Sequence, residues 1–416
     1  MKLVIPISRM KKADDTKKYG TGKHYEDVLV TRNGKQFYQR REVGRKQEQP
    51  TQEHSKNTVT APTSTGSSKT LNYEVGDTVK FKTAAGTTIE GEIVAEGGTG
   101  VQALTNGVIY KVPHGDVEKK TKNKDGTIPA SEFNANDYKK AFTDPKCTND
   151  ADGIAHVYSL LGADGRQTQA NVEKKLNDQA NRMKKGDTQT RNMVNGKYTP
   201  EREKLHDAII KKILSPEKVK ACTPKDGEKP KFIMFGGRGG SGKSWFTDKN
   251  RAAADGRQVM FDSDKYLILD ADAIKEEIPE YEGWNAGEVH EESSDIMKQI
   301  KSMAMSLGIN IIIDGTMNYN AKKPDKVKDE MLAAKKLGYS LEAHYMFSPI
   351  QKSCVNAMQR FKTKKGDYSG RLVPTDILLS MQDNEKSFDS VKDIVDDWSF
   401  RDNQNFDAKL ISRKGV

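Results

Sequence analysis

The chain has 416 residues, of which 34% are hydrophobic and 31% are charged, and its formal net charge is +10. This length exceeds one ordinary core, so we expect two or three domains, and the polar composition predicts some linker. The positive charge permits an anionic partner such as nucleic acid or a nucleotide but selects none. Three widely spaced cysteines indicate a reducing, cytoplasmic setting, and no secretory signal or membrane-spanning run is expected.

Residues 1–46 are basic, and Asn33-Gly34 between Val28–Val30 and Phe37–Tyr38 predicts a β-hairpin. Interleaved arginines and aromatic rings suit a nucleic-acid contact, although a solubilising hairpin or tail is favoured. Short basic hairpins of this kind resemble the start of some phage virion proteins, which implies a virion partner for a phage-encoded chain. Residues 47–70, rich in Gln, Thr, Ser and Pro, predict a flexible linker.

Residues 71–118 alternate apolar and polar side chains between glycine turns, which predicts a small β-barrel. The opening Gly76-Asp77-x-Val79-x-Phe81 resembles SH3-like barrels, which bind peptides or nucleic acid, and a spacer is the alternative. Residues 119–198 predict a mainly helical connector that is either an arm or a layer against the next domain. Its helices are expected at 131–142, 152–161 and 169–184.

The strongest motif follows the apolar run from Phe232 to Phe235. Gly237-x-x-x-x-Gly242-Lys243-Ser244 fits the P-loop pattern at every fixed position, and a chance glycine-rich turn is the alternative. The glycines leave room for phosphate and let backbone N–H groups point inward. Lys243 would reach the β- and γ-phosphates, and the Ser244 hydroxyl would ligate magnesium. The predicted nucleotide-binding residues are Gly237, Arg238, Gly239, Gly240, Ser241, Gly242, Lys243, Ser244 and Trp245.

Around this motif, strands and helices alternate, which predicts an α/β domain over residues 199–416 with a parallel sheet covered on both faces. Strands are expected at 231–235, 266–270, 309–314 and 340–347, and helices at 199–214, from 243, and at 286–307, 324–337 and 349–361. Because ligands bind beyond the carboxyl ends of such strands, Lys243, Asp270, Asp272 and Asp314 should converge there.

Three groups beyond the P-loop suit phosphoryl transfer. A carboxylate of Asp270-Ala-Asp272 would take the proton of an attacking hydroxyl, while capping the next helix is the alternative for Asp272. Asp314-Gly315-Thr316 follows an apolar strand, which is the Walker B position for magnesium, and a simple turn is its alternative. The basic segment from Arg360 to Arg371 predicts a lid whose arginines neutralise phosphate, or else a solvated loop.

Five motifs in this order resemble those of the zeta toxin family, over about residues 200–400. They are Phe235 to Ser244, Asp270-Ala-Asp-Ala-Ile-Lys-Glu-Glu-Ile-Pro-Glu-Tyr281, Val289-His-Glu-Glu-Ser-Ser294, Asp314-Gly-Thr316, and Arg360 with Gly370-Arg-Leu-Val-Pro374. The resemblance implies a P-loop kinase that uses ATP and Mg²⁺ to phosphorylate the sugar 3′-hydroxyl of UDP-N-acetylglucosamine. It implies that Lys243 and Ser244 hold ATP and magnesium. It further implies Asp272 as the base, Arg360 and Arg371 as phosphate clamps, Glu291, Glu292 and Thr316 facing the sugar nucleotide, and an antitoxin partner.

One departure leaves the acceptor open between a nucleotide-sugar and a related nucleotide such as NAD. Where founding toxins carry a substrate-binding glutamate, an ungapped count back from Asp314 arrives at Lys298. The alternative functions are a polynucleotide 5′-hydroxyl kinase, which the basic N-terminal half would suit, and a phage structural or cargo protein with a nucleotide-binding module. The helices of residues 119–198 would be able to shield the site.

Overall fold

The computed structural model describes residues 24–32, 35–43, 59–60, 72–83 and 86–415, and the chain divides into units Met1–Thr58 and Val59–Val416. In the first unit, β1 (His24–Arg32) and β2 (Lys35–Val43) pair antiparallel, with Arg32 opposite Lys35. The predicted hairpin is therefore confirmed. Its Asn33-Gly34 turn, and the predicted linker 47–70 apart from residues 59 and 60, lie outside the described residues.

The second unit begins with a six-stranded sheet in the order β3-β7-β6-β5-β4-β8. Its strands are β3 (Val59–Thr60), β4 (Thr78–Lys82), β5 (Thr88–Gly97), β6 (Gly100–Thr105), β7 (Val108–Pro113) and β8 (Val117–Lys122). Val79, Phe81 and Ile93 alternate with more exposed neighbours and are fully buried, so one face of the sheet forms a core. The predicted strands are present, and the SH3-like barrel stays a prediction.

The connector forms helices that pack against the following domain. They are α1 (Ala135–Lys140), α2 (Ala151–Ser159), α3 (Gly165–Met183) and α4 (Thr188–Asn192), followed by the paired β9 (Met193–Val194) and β10 (Lys197–Tyr198). Val157, Tyr158 and Val172 join one buried apolar cluster with Cys354 and Phe361 of that domain. The connector is thus a helical layer rather than an arm.

The central sheet has the order β12-β13-β11-β14-β15-β16. Its strands are β11 (Lys231–Gly236), β12 (Leu267–Asp270), β13 (Ile311–Asp314), β14 (Ser340–Phe347), β15 (Asp397–Asp402) and β16 (Lys409–Arg413). All neighbours run parallel except β15 and β16, so the sheet is mixed rather than wholly parallel. Side chains of β11 and β13 are buried nearly without interruption, as expected for strands covered on both faces.

The remaining helices surround this sheet. They are α5 (Pro200–Ile213), α6 (Pro216–Cys222), α7 (Lys249–Ala254), α8 (Ala271–Glu276), α9 (His290–Ser306), α10 (Lys326–Lys336), α11 (Ile350–Gly366), α12 (Thr375–Ser380) and α13 (Asn384–Val391). The predicted helix from residue 243 is wrong in its extent. Residues Lys243–Phe246 form only a short 3-10 turn. A separate helix, α7, begins after Asp248, whose side chain accepts a hydrogen bond from the Arg251 N–H. Within the described ranges, no helix is both long and apolar enough to cross a membrane.

Candidate active site

Three neighbouring strands end at the same edge of the central sheet. Asp314 at the end of β13 lies opposite Phe235 of β11 on one side and opposite Asp270 of β12 on the other. The glycine-rich loop begins directly after β11, and its lysine, Lys243, interacts electrostatically with both carboxylates. The structure therefore brings together the residues that the strand pattern predicts should converge.

The glycine-rich loop has the backbone shape that a phosphate cradle requires. Gly237 and Gly242 have φ angles of 133° and 88°, which side-chain-bearing residues rarely adopt. A Cβ at Gly242 would also collide with the side-chain amide of Asn403. Lys243 Nζ donates to the carbonyl oxygen of Gly237 at 3.0 Å, so its ammonium lies over its own loop, ready to exchange that contact for phosphate oxygens.

Charges at the strand ends are coupled. Burial lowers the pKa of Lys243, and the Asp314 and Asp270 carboxylates oppose that change. Burial also raises the pKa of Asp314, with Lys243 acting against burial and Asp270 adding to it. Two adjacent carboxylates repel each other unless a cation lies nearby. The Asp314 carboxylate and the exposed Ser244 hydroxyl are oxygen donors of the kind that Mg²⁺ prefers, so these residues fit the metal.

Asp272 presents its carboxylate to the cleft. The helix-capping role belongs to Asp270, whose side chain accepts a hydrogen bond from the Asp272 N–H at 2.9 Å. The Asp272 carboxylate instead pairs with Lys275 at 3.0 Å and with Arg371. Burial raises the pKa of Asp272, but Lys275 and Arg371 outweigh burial and hold it below its ordinary value. Asp272 is thus an ionised carboxylate in direct contact with Arg371 of the predicted lid.

The two lid arginines approach the same place. Arg360 lies within α11, which continues to Gly366 and is longer than predicted, and Arg371 lies beyond the helix. Partial burial and the Arg371 guanidinium lower the pKa of Arg360, whereas Asp272 raises it. The predicted lid segment folds back against α11, since the Gly370 N–H donates to the carbonyl of Phe361 at 3.1 Å. The side chains of residues 364 and 365 lie outside the described part.

Glu292, predicted to face the sugar nucleotide, has a completely buried carboxylate that is held in an ion-pair network, so its role in substrate binding stays a prediction. Arg202 Nε and Nη2 donate to its two oxygens at 2.5 and 2.7 Å, and His206 Nε2 lies 2.7 Å from one of them. Arg202 and His206 lie four residues apart on α5, so their side chains share one face of the helix. This spacing is the feature of the sequence that indicates a common partner for the two residues. Glu291 is exposed on the same helix, and its role remains a prediction.

Two other residues of the predicted site, Thr316 and Arg238, make hydrogen bonds within the domain. The carbonyl of Thr316 accepts hydrogen bonds from the N–H of Gly237 at 3.4 Å and from Asn384 Nδ2 at 2.9 Å, which ties two site loops together. The Arg238 side chain points inward to a bidentate ion pair with Glu385, both distances being 2.6 Å. Asn384 and Glu385 hold these two loops in place, and the sequence analysis missed both because no local motif indicates them.

Trp245 is predicted to bind nucleotide, but its ring is 7% exposed and lies against two guanidinium groups. Arg257 is 3.9 Å from the ring centroid, and Arg401 is 4.6 Å from it. The ring is therefore occupied by cation–π contacts, and only the main chain of Trp245 remains for the phosphate loop.

The buried Glu292 makes the free energy of unfolding depend on pH. Burial raises its pKa, but hydrogen bonds from His206 and Arg202 outweigh burial and lower it from 4.5 to about 2. The ionised form therefore stabilises the fold fully above pH 4.5, and this contribution of roughly 3 kcal/mol disappears as pH falls towards 2. Chemical denaturation across this range should show the loss. Glu292→Gln should weaken the dependence of the free energy of unfolding on pH. Glu277→Gln, which removes the surface pair with Lys212, should keep the wild-type dependence. Equal pH dependence in both variants would contradict the assignment.

The strand order, the glycine-rich loop and the facing carboxylates define a P-loop phosphotransferase. The zeta toxin family model matches residues 216–406, so this part of the chain is a zeta toxin domain, a kinase. This agrees with the resemblance seen in the sequence. A comparison with curated proteins finds no match.

Two solved structures show a weaker likeness. One is from the PezAT chromosomal toxin–antitoxin system of Streptococcus pneumoniae, with 16% identity, a TM-score of 0.37, and coverage of 53% of this chain and 83% of that one. The other is AvrRxo1-ORF1:-ORF2 with ATP, with 17% identity, a TM-score of 0.37, and coverage of 50% and 65%. The match thus spans less than two thirds of the AvrRxo1 chain, and the fold assignment rests on the strand order above.

Proposed function

We propose that this chain transfers the γ-phosphate of ATP to a hydroxyl of a nucleotide-sugar, such as UDP-N-acetylglucosamine, or of a related nucleotide. The observation that carries the proposal is the position of Asp272, an ionised carboxylate held by Lys275 and Arg371 on the acceptor side of the loop that holds Lys243. A zeta toxin domain also supports an antitoxin as a partner of this chain.

Each group has a defined task in this reaction. Lys243 and the loop N–H groups bind the β- and γ-phosphates, and Arg360 and Arg371 neutralise charge on the transferred group. Asp272 accepts the proton of the attacking hydroxyl, which requires Arg371 to leave it for the phosphate. Ser244 and Asp314 would hold Mg²⁺, which when bound supplies charge neutralisation between the phosphates.

Two other functions make different demands on the same site. A polynucleotide 5′-hydroxyl kinase shares the P-loop and the strand-end carboxylate, and the basic hairpin of β1 and β2 would suit its substrate. A phage structural or cargo protein would need only nucleotide binding. The full set of Lys243, Asp272, Arg360 and Arg371 around one cleft favours an enzyme.

The acceptor is tested by offering three candidate substrates in separate reactions. The full chain receives ATP labelled at the γ-phosphate, Mg²⁺ and one of three acceptors: UDP-N-acetylglucosamine, NAD or a 5′-hydroxyl oligonucleotide. We expect label in the sugar nucleotide or NAD, with Lys243→Ala as the inactive reference because it lacks the phosphate-binding ammonium.

Label only in the oligonucleotide would replace the proposed acceptor with a nucleic-acid end. Binding of ATP with no transfer to any acceptor would favour the nucleotide-binding module.

Omission of Mg²⁺ with excess chelator should abolish transfer, and transfer that continues without the metal would contradict the roles of Ser244 and Asp314.

A further inference from the structure

A loop on the far side of the phosphate cradle carries an exposed aromatic ring. The loop runs from Asn403 to Ala408 between β15 and β16, and the Phe406 side chain in it is 57% exposed. Phe406 and Ala408 have φ angles of 61° and 48°, in the left-handed region that non-glycine residues rarely occupy. The loop therefore holds an apolar ring in water at a conformational cost.

The loop is fastened directly to the phosphate cradle. Asn403 Nδ2 donates to the carbonyl of Ser241 at 2.8 Å, and Asn403 Oδ1 accepts from the Ala408 N–H at 3.2 Å. The Arg251 guanidinium donates to the carbonyl of Phe406 at 2.7 Å. These bonds fix the backbone of the Asn403–Ala408 loop next to the phosphate loop.

The sheet order gives a bound nucleotide its direction. The carboxylates of Asp270 and Asp314 stand at the ends of β12 and β13, on one side of β11. The loop after β15 stands on the other side, beyond β14. A γ-phosphate that faces Asp272 therefore sends the ribose and base of its nucleotide towards Asn403–Ala408.

Phe406 has the free surface that a base requires, and Trp245 does not. The Trp245 ring is buried beneath Arg257 and Arg401, as described above. Lys352 Nζ lies over the Phe406 ring, 4.2 Å from its centroid, and more than half of Phe406 is exposed to solvent. Aromatic rings stack on bases with little preference for base identity.

We propose that Phe406 is the stacking platform for the purine base of the phosphate donor, held in place by Asn403 and Arg251. This inference rests on the proposed kinase function and extends it to the donor's base. It also implies that the donor site discriminates weakly between purines, because stacking reads a ring face and not a hydrogen-bonding edge.

The test separates base binding from phosphate binding. Calorimetric titration of the full chain with Mg·ATP and with Mg·tripolyphosphate, which lacks a base, is compared for the wild type, Phe406→Leu and Phe406→Tyr. We expect Phe406→Leu to weaken ATP binding by roughly 5- to 100-fold and to leave tripolyphosphate binding unchanged, while Phe406→Tyr keeps ATP binding.

The outcomes distinguish the two proposals. Equal ATP affinity in the wild type and Phe406→Leu would overturn the stacking role and leave the kinase function standing. Equal weakening of ATP and tripolyphosphate would also overturn it, because the loop would then act on the phosphate cradle. A wild-type chain that binds neither ligand would overturn the proposed function and the stacking role together. Matching thermal unfolding of the three proteins confirms that the variants are folded.

Discussion

Asp272→Asn is expected to reduce the rate of phosphoryl transfer by roughly 10²- to 10⁴-fold while ATP still binds. Asparagine has nearly the shape of aspartate but cannot take the hydroxyl proton in the transition state. The wild-type carboxylate has a lowered pKa and is already ionised at neutral pH. The asparagine amide does not ionise, so raising the pH does not restore the lost activity. Single-turnover transfer with the acceptor identified above, together with ATP titration, measures both quantities.

Asp270→Asn is the matched control for this change. Its side chain accepts a hydrogen bond from the Asp272 N–H, and an asparagine oxygen can accept the same bond. We expect transfer to fall much less in Asp270→Asn than in Asp272→Asn. If the order were reversed, Asp270 would be the base and the assignment made here would be wrong.

Glu385→Gln is expected to lower the free energy of unfolding by about 3–5 kcal/mol, because it leaves the Arg238 guanidinium charged and unpaired in the interior. Arg238 is 2% exposed and Glu385 is fully buried. The Tyr345 hydroxyl also donates to Glu385, at 3.0 Å, so the substitution disturbs a network and not one bond. Urea denaturation monitored by circular dichroism provides the measurement.

A neighbouring ion pair supplies the comparison. Lys386 and Asp383 pair at 2.9 Å with both side chains about 40% exposed, at 42% and 43%, so Lys386→Ala should cost less than about 1 kcal/mol. Because Arg238 belongs to the phosphate loop, Glu385→Gln should also weaken ATP binding. A variant with wild-type stability would show that the interior accommodates the unpaired guanidinium, contrary to this expectation.

Much of the site could be predicted because its signals are local in the chain. The glycine spacing up to Lys243, the carboxylates after apolar strands and the arginines flanking a basic loop each lie within one short segment. Parallel strands then place their ends at one edge, so Asp270 and Asp314 meet without any further information. The chemical roles of these residues remain predictions that the variants above address.

The parts that could not be predicted depend on partners far away in sequence. Glu292 sits on a helix whose pattern suits a substrate contact, and its carboxylate is held in the interior by Arg202 and His206, which lie 90 and 86 residues earlier. Strand β15, which is not among the strands predicted from the sequence, contains several polar residues. Ser399 is buried there because it bonds to His344 at 2.8 Å, and Asp402 because the Tyr138 hydroxyl donates to it at 2.7 Å.

The helical layer also decides where a working fragment of this protein can begin. The family match starts at residue 216, but Val157 and Val172 fill the apolar cluster against α11, and Phe133 belongs to the main core. A chain cut at residue 216 would open these faces to water and remove Arg202 from the buried Glu292. The segment recognised by its sequence and the segment able to stand alone in solution therefore have different boundaries. An excised catalytic fragment has to start before Phe133.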